Sequence, residues 1–248
     1  MSALTPAQRP PRPEIEYPED NGEPLSENTL QFEWIATIKG GLDALFRDAT
    51  KVFVAGDLLW YPVEGDNTTR MAPDAMVVFG RPKGYRGSYM QWLEEGVAPQ
   101  VVFEVLSPGN RAGEMIRKFR FYDRFGVEEY YIYDPDRVEL NGYLRQAGAL
   151  EEIPTLDGWV SPRLGIRFDM GGPELAILGP DGRPFVSYID LARQRDEAAH
   201  QRDEAARQRD EAARQRDEAA HQRDEERRRA ERLAERLRAL GVDPGEDS

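Results

Sequence analysis

Two short apolar runs with a helical stretch between them constrain this chain more than any other feature. Val101–Leu106 (VVFEVL) and Tyr130–Tyr133 (YYIY) are almost continuously apolar and bounded by turn residues. Such runs are expected of strands covered on both faces. Within Gly113–Phe125, Met115, Ile116, Phe119, Tyr122 and Phe125 make one helical face, and Gly126 follows where a helix stop belongs. Strand, helix and strand at this spacing predict a βαβ unit with parallel pairing. The fold class is therefore α/β.

The flanking segments extend that unit. Leu30, Trp34, Ile38, Leu42, Leu45 and Phe46 recur at helical spacing, with Ser26 and Asn28 upstream as caps. Gly40-Gly41 weakens the middle of this helix, at about 1 kcal/mol per glycine relative to Ala. Val52–Tyr61 and Ala75–Phe79 read as strands. After Asp134-Pro135-Asp136 the pattern resembles a meander, over Val138–Leu144, Trp159–Phe168 and Leu175–Leu178, and predicts a β-rich extension of the sheet. The α/β body spans 29–190. Residues 1–28 hold six prolines and few apolar side chains, which predicts a disordered leader. Residues 241–248 are expected to form a disordered tail.

From Leu191 the texture changes. ARQRDEA, AHQRDEA, ARQRDEA, ARQRDEA and AHQRDEE run as five consecutive heptads from Ala192 to Glu226. Nearly every residue favours helix, and Asp203 with Arg207 and Asp210 with Arg214 form i,i+4 pairs. A helix or coiled coil over 191–240 would be about 75 Å long. Its apolar stripe is only Ala pairs, so a weak Ala-lined coil of either polarity and a solitary charged helix both stay open. The segment reads as a spacer or as the seat of a homodimer.

Composition excludes several chemistries. There is no Cys, and both histidines, His200 and His221, lie inside the repeat. Disulfides, thiol nucleophiles, Cys-ligated metals, a Ser-His-Asp triad and His-rich metal sites are thereby removed from the body. Carboxylates remain, and they suit Mg²⁺, Mn²⁺ or Ca²⁺. Of the net charge of −13, residues 1–190 carry −11, with 19 basic against 30 acidic side chains. A broad, non-specific nucleic-acid surface is disfavoured, but a local basic cleft is not. No apolar run approaches the ~20 residues that span a bilayer, and the N-terminus lacks the apolar core of a signal peptide. A reducing cytoplasm is the expected location.

Three residues stand out chemically. Glu104 sits in the most apolar strand, where an unpaired carboxylate is costly, so either a sheet-end ion pair or a cation is implied. Asp74 follows Pro73 at a strand start; it is a turn residue, or else it converges with Glu104 into a hard-cation site. Lys118 is the one Lys beyond Lys83 in a chain that otherwise uses Arg there. It either pairs with Glu114 on the surface or fills a role that needs a compact ammonium.

In this order the residues resemble a known family. Pro73-Asp74, Glu104-Val105-Leu106-Ser107-Pro108, Arg111, Glu114, Lys118, Tyr122 and Gly126-Val127-Glu128-Glu129-Tyr130 to Asp134-Pro135 are similar to the Uma family of restriction-type endonucleases, within the PD-(D/E)XK nuclease superfamily. Arg86, Ser88-Tyr89, Trp92 and Glu95-Gly96 match as well, and the likeness covers roughly residues 30–190. It implies a central mixed sheet flanked by helices. Asp74 and Glu104 would bind Mg²⁺ (or Mn²⁺) for phosphodiester hydrolysis of DNA, with no nucleotide cofactor. The superfamily's usual Lys position, two residues after the acid, is Leu106 here, and the family's displaced Lys maps to Lys118. Glu114 stands where the family commonly has Asp. Glu33 on the first helix, Asp57, Glu114 and Tyr122 are secondary candidates. Arg81, Lys83, Arg86, Arg111, Arg117, Lys118 and Arg120 are expected to form a basic mouth. Two other readings stand beside the nuclease: a catalytically reduced binding or regulatory module, and an assembler built on the long helix.

Overall fold

The computed structural model describes residues 15–20, 22, 26, 28–110 and 112–239. Contacts divide the chain after Tyr188 into two units.

In the first unit, α1 (Thr29–Leu45) starts at Asn28, whose side chain accepts from the Gln31 N–H at 2.8 Å. Its buried stripe is Gln31, Ile35, Ile38 and Leu42. Gly41 is there for close approach, because a side chain at this position would run into the Phe185 ring. Then follow β1 (Val52–Ala55), β2 (Trp60–Tyr61), β3 (Ala75–Phe79), β4 (Tyr89–Met90), a 3₁₀ turn at Gln91–Glu94, and β5 (Val101–Val105). α2 (Ala112–Arg124) leads into β6 (Glu129–Asp134), β7 (Glu139–Gln146) and β8 (Ala149–Glu152). The unit closes with β9 (Arg167–Asp169) and β10 (Ala176–Leu178).

The main sheet has six strands in the order β1-β3-β5-β6-β7-β8. β5 and β6 pair in parallel across α2, with Glu104 opposite Ile132, as the βαβ reading expects. The other pairs are antiparallel, so the sheet is mixed. Gly126 ends α2 with φ +88°, a left-handed conformation that costs glycine little. Alternation along β5 explains how both faces are covered. Val101, Phe103 and Val105 join the core with Ile35, Ile38 and Leu42 of α1, while Val102 joins the second core with Tyr122 and Tyr130. Each fully buried large side chain contributes about 1.5–3 kcal/mol.

Several expectations are revised. Val52–Tyr61 is not one strand: the chain turns at Gly56-Asp57, with Asp57 at φ +47° and its N–H bonded to the Pro73 carbonyl at 3.0 Å. β2 instead pairs in parallel with β4. In the β-rich extension, β7 and β8 lengthen the main sheet, whereas β9 and β10 form a separate antiparallel pair. Residues 15–20, expected within a disordered leader, pack on the body. The Tyr17 ring lies 5.3 Å from that of Tyr61 and 5.0 Å from that of Trp92, and the Tyr61 hydroxyl donates to the Pro18 carbonyl at 2.7 Å. Most of the rest of that leader, Arg111, Leu240 and the 241–248 tail lie outside the described residues.

In the second unit, α3 (Tyr188–Ala239) runs unbroken for 52 residues with no residue buried. No helix among the described residues is long and apolar enough to cross a membrane.

Candidate active site

Sheet register brings the two acids together. Ala75 is opposite Phe103 in the antiparallel β3–β5 pair, so Asp74, one residue earlier, falls beside Glu104 on the face that α2 covers. Asp74 is 9% exposed and its Oδ2 accepts the Val105 N–H at 2.6 Å; Glu104 is 2% exposed.

α2 supplies the partners. Glu114, Lys118 and Tyr122 recur every four residues and so share one helix face. Lys118 Nζ lies 2.6 Å from Glu104 Oε2 and 3.9 Å from Glu114 Oε1, and the Tyr122 hydroxyl donates to Glu104 Oε1. Glu104 is thus held at both oxygens by one helix. Glu114 also accepts from the Asn110 amide at 3.4 Å, in the turn that carries the chain from β5 to α2.

The electrostatics follow from crowding two carboxylates in a poorly hydrated place. Burial, and then the charge of Glu104, push Asp74 well above the usual carboxylate range, against the pull of Lys118 and the Val105 N–H; Asp57 pushes the same way. For Lys118, burial works against the ammonium, but Glu104 and Asp74 outweigh it and hold the group above its ordinary value. Burial and the neighbouring Glu104 charge raise Tyr122, which therefore stays a neutral donor.

These facts decide how the expected residues are placed. Asp74, Glu104, Lys118, Glu114 and Tyr122 form one constellation, and Asp57 is near enough to act on Asp74. Glu33 is not part of it: it is exposed, off the Gln31–Ile35–Ile38–Leu42 stripe. From α1, Gln31 reaches this end of the sheet, where its amide donates to the Val105 carbonyl at 2.8 Å. Its signal was its place four residues before Ile35, in register with the apolar stripe. The basic mouth is smaller than expected. Arg81 and Arg86 are drawn into ion pairs with Glu94, at 2.8 and 2.5 Å, and Lys83 donates to the carbonyls of Phe46 and Arg47 at the end of α1. Arg117 and Arg120 remain exposed on α2, and Arg111 lies outside the described residues.

Among the described residues no group of three His, Cys, Asp or Glu converges to hold a metal. The pair Asp74–Glu104 still suits a hard divalent cation, because its donors are all oxygen and its mutual repulsion is what such an ion relieves. The bonds to Lys118 and Tyr122 do not exhaust Glu104, since a carboxylate has about four acceptor sites.

A family model described as "Uma2: Putative restriction endonuclease" matches residues 3–171, a span that contains the whole constellation. Among solved structures the chain is similar to "a putative nuclease belonging to DUF820 from Anabaena variabilis ATCC 29413". The identity is 15% and the TM-score 0.41, over 54% of this chain and 72% of that one. No curated protein matches.

Proposed function

Because the chain belongs to the Uma2 family, we propose that residues 29–190 form a divalent-metal-dependent endonuclease that hydrolyses phosphodiester bonds of DNA. The observation that carries this reading is the contact of Lys118 with Glu104 beside Asp74. It places two carboxylates and one ammonium on the same face of the sheet.

In the proposed chemistry a water oxygen bonds to phosphorus and one P–O ester bond breaks, leaving a phosphate monoester and an alcohol. Asp74 and Glu104 would hold Mg²⁺ or Mn²⁺, which would supply Lewis-acid polarisation of the phosphate and a more acidic water. Glu104 and Asp74 favour the charged form of Lys118, so it acts as a donor and a positive charge in this reading. From there it orients the attacking water or stabilises charge building on the phosphoryl oxygens. Tyr122 fixes Glu104 from the other side, and the Val105 N–H fixes Asp74. Arg117 and Arg120, which are exposed on α2, would supply contacts to the phosphate backbone in this reading. In this reading the protein works in the cytoplasm and residues 191–240 join two copies of it.

The test is cleavage of plasmid and single-stranded DNA with Mg²⁺ or Mn²⁺. Wild type should cut, Asp74→Ala and Glu104→Ala should not, and Lys118→Ala should lose turnover more than metal affinity. Equal cutting by wild type and all three variants would overturn the site. The net charge of −11 on residues 1–190 and the sequestering of Arg81 and Arg86 by Glu94 favour the alternative, a nuclease-fold binding module. That reading wins if wild type neither cuts nor gains melting temperature on adding either ion.

A further inference from the structure

α3 presents 52 helical residues with none buried among the described residues, so burial does not decide which side of it is functional. The repeat decides. A seven-residue period averages 3.5 residues per turn, which keeps any chosen stripe on one side of a supercoiled pair of helices. Within the repeat there are seven ways to choose seam positions separated by three and four residues. In six of them at least one seam position is Arg, Asp or Glu. The remaining one is wholly uncharged: Leu191 and Gln194, then Ala198 and Gln201, Ala205 and Gln208, Ala212 and Gln215, Ala219 and Gln222.

The residues flanking this seam supply a second regularity that its neutrality does not require. Glu197, Glu204, Glu211, Glu218 and Glu225 line one side, and Arg195, Arg202, Arg209, Arg216 and Arg223 line the other. In a parallel, in-register pair, each flanking residue faces the opposite flank of the partner five positions away. Glu197 then meets Arg202 of the second copy, Glu204 meets Arg209, Glu211 meets Arg216 and Glu218 meets Arg223. In an antiparallel pair, like flanks face each other, Arg against Arg and Glu against Glu.

We propose that residues 191–225 dock against the same segment of a second copy of this chain, parallel and in register. This rests on the reading that the tail joins two copies, and it adds the face, the polarity and the register. Ala at one seam position lets the helices approach closely. Gln at the other offers an amide donor and acceptor that can pair across the seam. The apolar area is thin, so the charges select orientation more than they supply affinity, and the pair weakens as salt rises. The seam ends at Gln222, because the next two positions in the same frame are Glu226 and Arg229.

The test uses the full chain, in which no native thiol interferes. Ala198→Cys and Ala219→Cys are made separately, and each is oxidised with diamide alone and after mixing. The proposal expects each variant to cross-link with itself, and the mixture to yield no disulfide between one variant and the other. Cross-linking only in the mixture would overturn the polarity while leaving the two-copy reading intact. No cross-link in any sample, with sedimentation as a monomer, would overturn both. Charge swaps give a second readout. The triple variant Arg202→Glu, Arg209→Glu, Arg216→Glu and the triple variant Glu197→Arg, Glu204→Arg, Glu211→Arg should each sediment as monomers, with helicity unchanged by circular dichroism. Mixed together they should form a heterodimer, and failure to do so would also overturn the proposal.

Discussion

Two neighbouring tyrosines show how much one hydroxyl can matter at the candidate site. The Tyr122 and Tyr130 rings lie 4.9 Å apart beneath Glu104, and both are fully buried. Tyr122 donates to Glu104, whereas the Tyr130 hydroxyl finds no hydrogen-bond partner among the described residues. A hydrogen bond to a charged acceptor is worth about 1.5–3 kcal/mol, and an unsatisfied buried hydroxyl costs about 1–3 kcal/mol. Tyr122→Phe should therefore lower kcat on the order of tenfold or more with KM nearly unchanged, because Glu104 loses one of its two restraints. Tyr130→Phe should leave kcat alone and hold or raise the melting temperature. Steady-state kinetics and thermal melts of the two variants check this, and equal effects in both would show that the Tyr122 bond positions nothing.

Among the elements, β6 is anchored by a carboxylate outside the site. Glu129 is fully buried, and it accepts from the Tyr131 hydroxyl at 2.9 Å, the Arg163 N–H at 2.6 Å and the Ser161 hydroxyl. It thereby ties the segment before β9 to the sheet. Burial raises its pKa, against those three bonds. The native state thus holds this proton more tightly than the unfolded chain does. The associated stability is fully present below the ordinary value of 4.5 and is lost as pH rises through the raised one. Melting temperatures of wild type and Glu129→Gln between pH 4 and pH 8 should diverge, with wild type losing ground as pH rises; parallel curves would contradict the linkage. Alternation along EYYIYD could have revealed Glu129, since it puts that residue on the same face as Tyr131 and Tyr133. Glu129 stands beside Glu128, whose carboxylate is half-buried and pairs with Arg163. β5, α2 and β6 were legible because long apolar patterns and Gly126 agree. β2 and β4, at two residues each, carry no period to read. β8 (ALEE) buries only Leu150. Glu33 was the chemically attractive choice on α1, but helical phase favours Gln31, whose amide satisfies a backbone carbonyl that a carboxylate could not.

On the scale of the whole molecule, the chain divides after Tyr188, and the core residues described in the first unit all precede α3. A chain ending at residue 188 should melt within a degree or two of the full protein and keep whatever cleavage the full protein shows on short substrates. A large fall in melting temperature would show that the units fold as one. Within the first unit, the acidic half of the candidate site lies just before β3 and in β5, inner strands of the six, while the ammonium and the phenol come from α2 on one face of the sheet. Inner strands open last when a protein loosens locally. On gentle warming, then, α2 is expected to let go before the sheet does. Under the proposed nuclease reading, a sample held near its transition would still take up ions after it had stopped turning over, and cooling would restore the rate without any rebuilding of the strands.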